Sequence, residues 1–190
     1  LGLLHMDVVR ERLEREYNIE LITTAPSVDF KVITNSGETL SIDNPSKLPD
    51  RALIDRIEEP YVHLSVHLPA EYVGSIMKLL NEKRGVQEKM DYTTKDRVHL
   101  SYQLPLSEMV FDFYDKLKSM TRGYASMDYE LSSYQESDLV KVDVLINGDS
   151  VDALSLITHK DKAATRGREL IKKMKALIDK QMFEVVLQAA

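Results

Sequence analysis

Two nearly identical segments of the chain alternate apolar and polar residues, and each therefore predicts a strand with one buried face. Residues 62–69 (VHLSVHLP) recur 36 residues later as residues 98–105 (VHLSYQLP), with six of eight positions identical. Apolar residues at helical spacing follow each copy, and each helical pattern ends at an Arg-Gly pair, Arg84-Gly85 or Arg122-Gly123. Glycine at these ends predicts a left-handed cap after the helix.

A further strand pattern follows each of these helices, at about residues 86–92 and 124–134. Strand–helix–strand, repeated once, predicts a ferredoxin-like βαββαβ split sandwich, in which right-handed crossovers place both helices on one face of the sheet. We assign this unit to residues 61–136.

The patterns on either side predict less complete units. Residues 2–17 have the period of a helix and residues 19–34 are rich in strand-forming residues, so 1–34 form one unit. Residues 35–60 carry a turn signal and three prolines, which indicates a linker with a short helix near 50–57. Residues 137–190 predict strand 140–146, a hairpin turn at Asn147-Gly148, strand 151–158, helix 161–178 and strand 182–188. The predicted fold class is α+β, a split sandwich between a partial helix-and-strand unit and a partial ββαβ module.

The net charge of −6 conceals a local reversal of sign. Residues 159–190 contain eight Lys/Arg and four Asp/Glu, whereas the rest of the chain is strongly acidic. The cations follow the non-apolar faces of the last predicted helix. A solvated helix face is one interpretation of this pattern, and contact with a polyanion is the other.

Several kinds of chemistry are excluded or disfavoured. The chain has no cysteine, which excludes disulfides and thiolate metal sites and fits a reducing compartment. The seven glycines are isolated, so no glycine-rich phosphate-binding loop can form. His63 and His67 share one strand face and His99 lies on the predicted neighbour, but such positions are roughly 6–7 Å apart, too far for one ion held at about 2 Å. Exposed sheet histidines are favoured, with a small metal enzyme as an alternative. The polar face around them also lacks the aromatic residues that stack RNA bases.

Several motifs resemble one family. Residues 2–6 (GLLHM) and 12–16 (RLERE) resemble the last helix of domain III in translocation-type translational GTPases, and residues 69–74 (PAEYVG) with the two Arg-Gly pairs resemble their domain V. Residues 43–49 (DNPSKLP) resemble the linker of the LepA (elongation factor 4) family. Residues 151–155 (VDALS), 166–168 (RGR) and 181–185 (QMFEV) resemble the start of its C-terminal domain. Asp29 departs from the apolar residue expected there. Because the chain begins without Met, we expect an internal piece of a longer protein.

This resemblance implies an end of domain III (1–34), a linker (35–60), a domain V (61–136) and the start of the LepA-specific domain (137–190). It also implies a cytoplasmic, ribosome-dependent GTPase of protein synthesis that remodels ribosomes with mispositioned tRNAs, with GTP and Mg²⁺ bound upstream and no catalytic residue, cofactor or metal in this piece. The implied partners are ribosomal RNA near the factor-binding centre and tRNA, with peripheral association at the cell membrane. The expected RNA contacts are Lys160, Lys162, Arg166, Arg168, Lys172 and Lys173. The alternatives are the corresponding region of an elongation-factor-G-like translocase and a stand-alone ferredoxin-like interaction module.

Overall fold

The computed structural model describes residues 3–19, 21, 28–110, 112–178 and 186–190, with side chains from residue 8 onward. The chain is α+β, as predicted. The described helices are α1 (Leu3–Tyr17), α2 (Val73–Glu82), α3 (Leu106–Met109), α4 (Phe113–Met120) and α5 (Lys160–Leu177). The described strands are β1 (Phe30–Thr34), β2 (Thr39–Ile42), β3 (Ile54–Pro69), β4 (Val86–Thr94), β5 (Arg97–Pro105), β6 (Ser126–Glu136), β7 (Leu139–Val142), β8 (Val144–Ile146), β9 (Asp149–Ser150), β10 (Leu156–His159) and β11 (Leu187–Ala189).

The two repeated segments lie side by side at the centre of the main sheet. β3 and β5 are antiparallel, with Val62 opposite Leu104 and His67 opposite His99. β4 pairs with the outer edge of β5 and β6 pairs with β3, which gives the order β4-β5-β3-β6. This order is that of a ferredoxin-like split sandwich, so the predicted fold of the repeat is confirmed.

The predicted alternation of buried and exposed residues is also confirmed. The apolar positions of β3 and β5 pack against α2, α3 and α4 in a first core. Its fully buried members include Leu64, Tyr102, Leu80 and Phe113. Burial of each large side chain contributes roughly 1.5–3 kcal/mol, which makes this core the main stabilising element of the unit.

The second predicted helix of the unit is interrupted. The helical spacing that follows the second repeat, over residues 106–120, predicts one helix. In the structure α3 ends at Met109 and α4 begins at Phe113, after Asp112 with a φ of −130°. Met109 and Phe113 belong to the first core, whereas Val110 packs against a second one. The break lets neighbouring residues reach two different cores, which periodicity alone does not reveal.

The two Arg-Gly ends behave differently from each other. Gly123 has a φ of +84°, as predicted for a left-handed cap. At the first end the prediction is wrong, because Arg84 and not Gly85 adopts the left-handed conformation, with a φ of +60°. Gly85 is required for space, since a Cβ there would lie 2.8 Å from the Leu80 carbonyl oxygen and 3.1 Å from Cδ1 of Tyr102.

The segment predicted as a linker is folded. It contains β2 and the beginning of β3, and the helix expected near 50–57 is only a 3-10 turn at Arg51–Leu53. β3 continues through Pro60, beside which its register with β6 shifts. Proline lacks an N–H and is tolerated at such an irregularity. The domain division at residues 60 and 61 stays a prediction, but β3 crosses it without a break.

A second core joins the beginning of the chain to its last third. β1 pairs with β2 and with the first part of β3, for example Val32 opposite Ile57. Leu139 of β7 and Ile157 of β10 are buried against these strands. The C-terminal module is therefore anchored in a core that it shares with the N-terminal strands.

The C-terminal module differs from its predicted strand pattern. Asn147 and Gly148 form the expected hairpin turn with φ of +54° and +92°. The strand predicted at 140–146 is divided into β7 and β8. The strand predicted at 151–158 is a 3-10 turn at Asp152–Leu154 followed by β10, which pairs with β7. β11 pairs with β8. Residues 182–185 of the last predicted strand, and residues 20 and 22–27 of the strand-rich start, lie outside the described residues.

Candidate nucleic-acid interface

Helix α5 carries all six of the predicted RNA contacts. It begins at a polar cap, where the Asp161 backbone N–H donates to Nδ1 of His159 over 3.3 Å. Asp161 in the first turn and Lys175 in the last turn complement the helix dipole. Gly167 is buried against β11, and a Cβ at this position would lie 2.9 Å from Cβ of Ala189. This close approach fixes which side of α5 faces the protein.

Four of the predicted contacts point to solvent. Lys160 is 68% exposed and lies 3.7 Å from the Asp138 carboxylate, which is itself 58% exposed. Arg168, Lys172 and Lys173 are also exposed. Such loosely held cations are available to an external anion, since an exposed ion pair contributes about 0–1 kcal/mol.

The other two predicted contacts, Lys162 and Arg166, turn towards the ferredoxin-like unit. Nζ of Lys162 and Nη2 of Arg166 each lie 3.0 Å from Oε2 of Glu108, in α3. Lys162 also donates to the backbone carbonyl of Glu82 over 2.7 Å. These contacts hold α5 against α2 and α3.

The Glu108 side chain is 1% exposed and binds a third cation, Arg84. Burial raises the pKa of Glu108, but Arg166, Lys162 and Arg84 together outweigh burial and hold it below its ordinary value. Burial lowers the pKa of Lys162, and this outweighs the raising effect of Glu108. The charged form of Glu108 is therefore stabilised by its cations, whereas for Lys162 the attraction of Glu108 does not offset the effect of burial.

Arg84 connects Glu108 to a second buried carboxylate, that of Glu59. Its Nη1 lies 2.6 Å from Oε1 of Glu59, which is completely buried on β3, and its Nε lies 3.1 Å from Oε1 of Glu108. Ser107 donates to Glu59 over 2.7 Å, and Arg84 also donates to Ser137 over 3.2 Å. Burial lowers the pKa of Arg84, but the two carboxylates raise it above its ordinary value. We call these residues the carboxylate network: Glu59, Arg84, Ser107, Glu108, Ser137, Lys162 and Arg166.

The sequence analysis did not identify this network. From its position alone, Glu108 would be a first-turn acid that favours the helix dipole, and Arg84 a cation at a helix C-terminus. The sequence carries no signal for the network, because the left-handed φ of Arg84 is seen only in the structure and the exposed Arg122 shares it. Only the tertiary structure shows that Glu108 and Arg84 point inward.

The histidines lie on the open face of the sheet, opposite the helices. The rings of His67 and His99 stack with centroids 4.6 Å apart. Nδ1 of His63 lies 3.1 Å from Glu88, and its Nε2 lies 3.0 Å from Oγ of Ser132. A carboxylate thus lies beside His63, since a register shift in β4 brings Glu88 to this face. Among the residues that the structure describes, no group of three His, Asp or Glu side chains is placed to hold a metal ion.

No helix in the described ranges is both long enough and apolar enough to cross a membrane. The longest of them, α5, contains charged residues along its whole length.

Two family models match consecutive parts of the chain. Residues 56–145 match the model for the elongation factor G C-terminus, and residues 146–190 match that for the GTP-binding protein LepA C-terminus. A crystal structure from Thermus thermophilus, of a protein designated ttk003000868, aligns with 43% of this chain and 12% of that chain, at 28% identity and a TM-score of 0.40. That overlap is too small to support an argument about the fold.

Similar curated proteins share one name over the full length of the chain. Elongation factor 4 of Streptococcus thermophilus is 58% identical over 190 residues, that of Oleidesulfovibrio alaskensis 57% and that of Sorangium cellulosum 56%. The chain spans about a third of the length of these relatives, 31–32%. The resemblance inferred from the motifs is thereby confirmed, and the chain belongs to the elongation factor 4 (LepA) family, with sequence matching its C-terminal region.

Proposed function

We propose that this chain is a ribosome- and tRNA-contacting part of a factor in protein synthesis, and that α5 contacts the RNA backbone. The names of the relatives support a role in translation. The match over residues 146–190 favours elongation factor 4 over an elongation-factor-G-like translocase. The longer protein would work in the cytoplasm as a ribosome-dependent GTPase that remodels ribosomes with mispositioned tRNAs. Its GTP and Mg²⁺ would be held by residues outside this chain.

The proposal rests on the observation that some cations of α5 face the protein while others are exposed. Lys162 and Arg166 both bind the buried Glu108, so they set the orientation of the helix. Arg168 and Lys172, one helical turn apart, are exposed on another side. A helix held rigidly by one face and cationic on another suits phosphate contacts, which position a protein on RNA without reading its sequence.

The experiment measures how binding depends on salt. Each phosphate contact adds roughly 0.7–0.9 to the negative slope of log K against log salt concentration. We replace Lys160, Arg168, Lys172 and Lys173 by Gln in this chain and measure binding to tRNA and to ribosomes over a salt series. The slope is expected to become shallower by about 3 units if all four make contacts.

A matched control removes the same charge elsewhere. Lys47, Lys78, Lys89 and Lys95 are exposed lysines outside α5, and their replacement by Gln is expected to leave the slope unchanged. An equal change of slope in both variants would show a non-specific charge effect. An unchanged slope in the α5 variant would remove these residues from the site.

The peripheral membrane contact proposed for the longer protein would use the same exposed cations. Vesicles with and without anionic lipid, in the absence of RNA, test for membrane contact. Membrane contact predicts binding only to the vesicles that contain anionic lipid. A stand-alone interaction module predicts no binding to tRNA or ribosomes at any salt concentration.

A further inference from the structure

Strand β6 offers a long backbone edge that no other described strand uses. It pairs with β3 along its whole length, from Glu136 opposite Glu58 to Ser126 opposite His67. Among the described strands only β3 pairs with it. In an antiparallel edge strand every second residue directs its N–H and C=O away from the sheet. The outer edge of β6 therefore presents a row of such groups over residues 126–136.

This edge has less of the usual protection against strand addition than the opposite edge of the unit. Natural edge strands are commonly short, bulged, or supplied with Lys or Pro. β4, at the opposite end of the unit, has two register shifts and carries Lys89. β6 contains no Lys, Arg or Pro and has one shift, near the position opposite Pro60. The edge is thus suited to accept another strand.

The exposed side chains of β6 indicate which strand would fit. Tyr129 and Leu131 are 47% and 68% exposed on the face that carries the helices. Asp128 and Glu130 are exposed on the open face, where they lie opposite Ser65 and His63. An added strand would meet apolar side chains on one face and carboxylates on the other.

We propose that the free edge of β6 docks an extended polypeptide segment of another protein in which basic and apolar residues alternate. The segment adds a strand to the six-stranded sheet by backbone hydrogen bonds, which is the general mode of β-augmentation. Its basic side chains face Asp128 and Glu130, and its apolar side chains cover Tyr129 and Leu131. This surface is separate from the cations of α5, so the inference goes beyond the proposed RNA contacts.

A second copy of this chain is a poor occupant of the same edge. Two β6 strands related by a two-fold axis would place acidic residues of one copy opposite or beside those of the other. Like charges in cross-strand pairs are destabilising. Charge complementarity therefore favours a basic partner.

The test uses this chain and a blocked heptapeptide of sequence Lys-Val-Lys-Thr-Lys-Val-Lys. Titration followed by amide hydrogen exchange is expected to show new protection at alternate residues of β6. A peptide with N-methyl groups on its edge-facing amides keeps the charge but cannot complete the ladder, so it is expected not to bind. Equal binding of both peptides, or protection outside β6, would overturn the proposal, as would no binding at all.

A charge exchange tests the predicted chemistry of the partner. The variant Asp128→Lys/Glu130→Lys is expected to weaken binding of the basic peptide roughly tenfold and to bind the matching peptide with Glu in place of Lys. If that variant does not fold, Asp128→Asn/Glu130→Gln replaces it and should weaken the basic peptide alone. Unchanged affinity in the folded variant contradicts the proposal, and so does a dimer of this chain that forms through β6 without peptide.

Discussion

Arg166 of the last helix and Glu108 of the ferredoxin-like unit form an ion pair in which Nη2 lies 3.0 Å from Oε2 and the carboxylate is 1% exposed. The two residues are 58 positions apart, and the pair fixes the C-terminal module against the rest of the chain. Because Lys162 binds the same oxygen, the orientation of α5 depends on one buried carboxylate.

Replacement of Glu108 tests this dependence. Glu108→Gln removes the charge that compensates Arg84, Lys162 and Arg166, and loss of one partner from a buried pair costs about 3 kcal/mol. We expect the free energy of unfolding in urea to fall by about that amount. Glu71→Gln, an exposed acid near the start of α2, serves as the control and should have little effect. Similar values for the two variants would contradict a structural role for Glu108.

Stability is expected to fall at acid pH because of two carboxylates. The pKa of Glu108 is held below 4.5, and that of Asp112 is lowered from 3.8 to about 2, since the effect of burial is outweighed by Lys116 and Lys83. Because both pKa values are lower in the folded chain, the unfolded chain binds more protons at acid pH. The stabilisation from the two carboxylates is complete above the pKa values of the unfolded chain and is lost as the pH falls through those of the folded chain. Urea unfolding measured from pH 4.5 down to about 2 should show this decline. In the variant Glu108→Gln/Asp112→Asn, which lacks both titrating groups, the decline should be smaller.

Two arginines with the same backbone conformation should respond oppositely to glycine. Arg84 and Arg122 have φ of +60° and +51°, a region in which a side chain costs about 1 kcal/mol relative to glycine. Arg122 is exposed, so Arg122→Gly should raise the free energy of unfolding by up to about 1 kcal/mol. Arg84→Gly relieves the same strain but leaves Glu59 and Glu108 without their shared cation, so we expect a loss of about 3 kcal/mol. Thermal or urea unfolding of both variants checks the sign.

Two glycines provide a comparable pair. Gly85→Ala places a methyl group 2.8 Å from a backbone oxygen and should lower the free energy of unfolding by about 2 kcal/mol. Gly74 lies in α2, where an added methyl group would have nothing within 4 Å, so Gly74→Ala should raise the free energy of unfolding by up to about 0.5 kcal/mol. Chemical denaturation of the two single variants measures both effects, and a stabilising Gly85→Ala would show that the contact relaxes freely.

The inward cations of α5 should contribute little to RNA binding. The variant Lys162→Gln/Arg166→Gln loses two positive charges. Both side chains contact Glu108, so neither charge is directed towards an external phosphate. We expect an unchanged salt slope for tRNA binding and a reduced free energy of unfolding. A slope shallower by about 1.5 units would instead mean that these residues leave Glu108 to contact phosphate.

The period of apolar residues along the chain predicted those strands and helices whose burial follows that period. The period of two in residues 62–69 and 98–105 placed β3 and β5 together, because both strands must bury the same face. The helix over 106–120 was predicted as continuous because its period is uniform, whereas competition between two cores breaks it. Residues 35–60 were predicted as a linker from their turn signal and three prolines, whereas β2 and the start of β3 lie in this segment and pair with β1.

The candidate site was predicted less completely than the fold. Charge identified α5, because the reversal of sign near residue 159 is local. It did not separate Lys162 and Arg166 from Arg168 and Lys172, since helical spacing says nothing about which side meets a buried carboxylate. The separation depends on Glu108, which approaches α5 only in the folded chain.

Strand β3 has a mechanical consequence for the whole chain. Its 16 residues extend over roughly 50 Å, and its first part completes one core while its second part completes the other. Because β3 belongs to both cores, its displacement from one core would disrupt the other. The two cores are therefore expected to unfold in a single cooperative step. A force applied near β1 would therefore be transmitted through the β3 backbone from one core to the other.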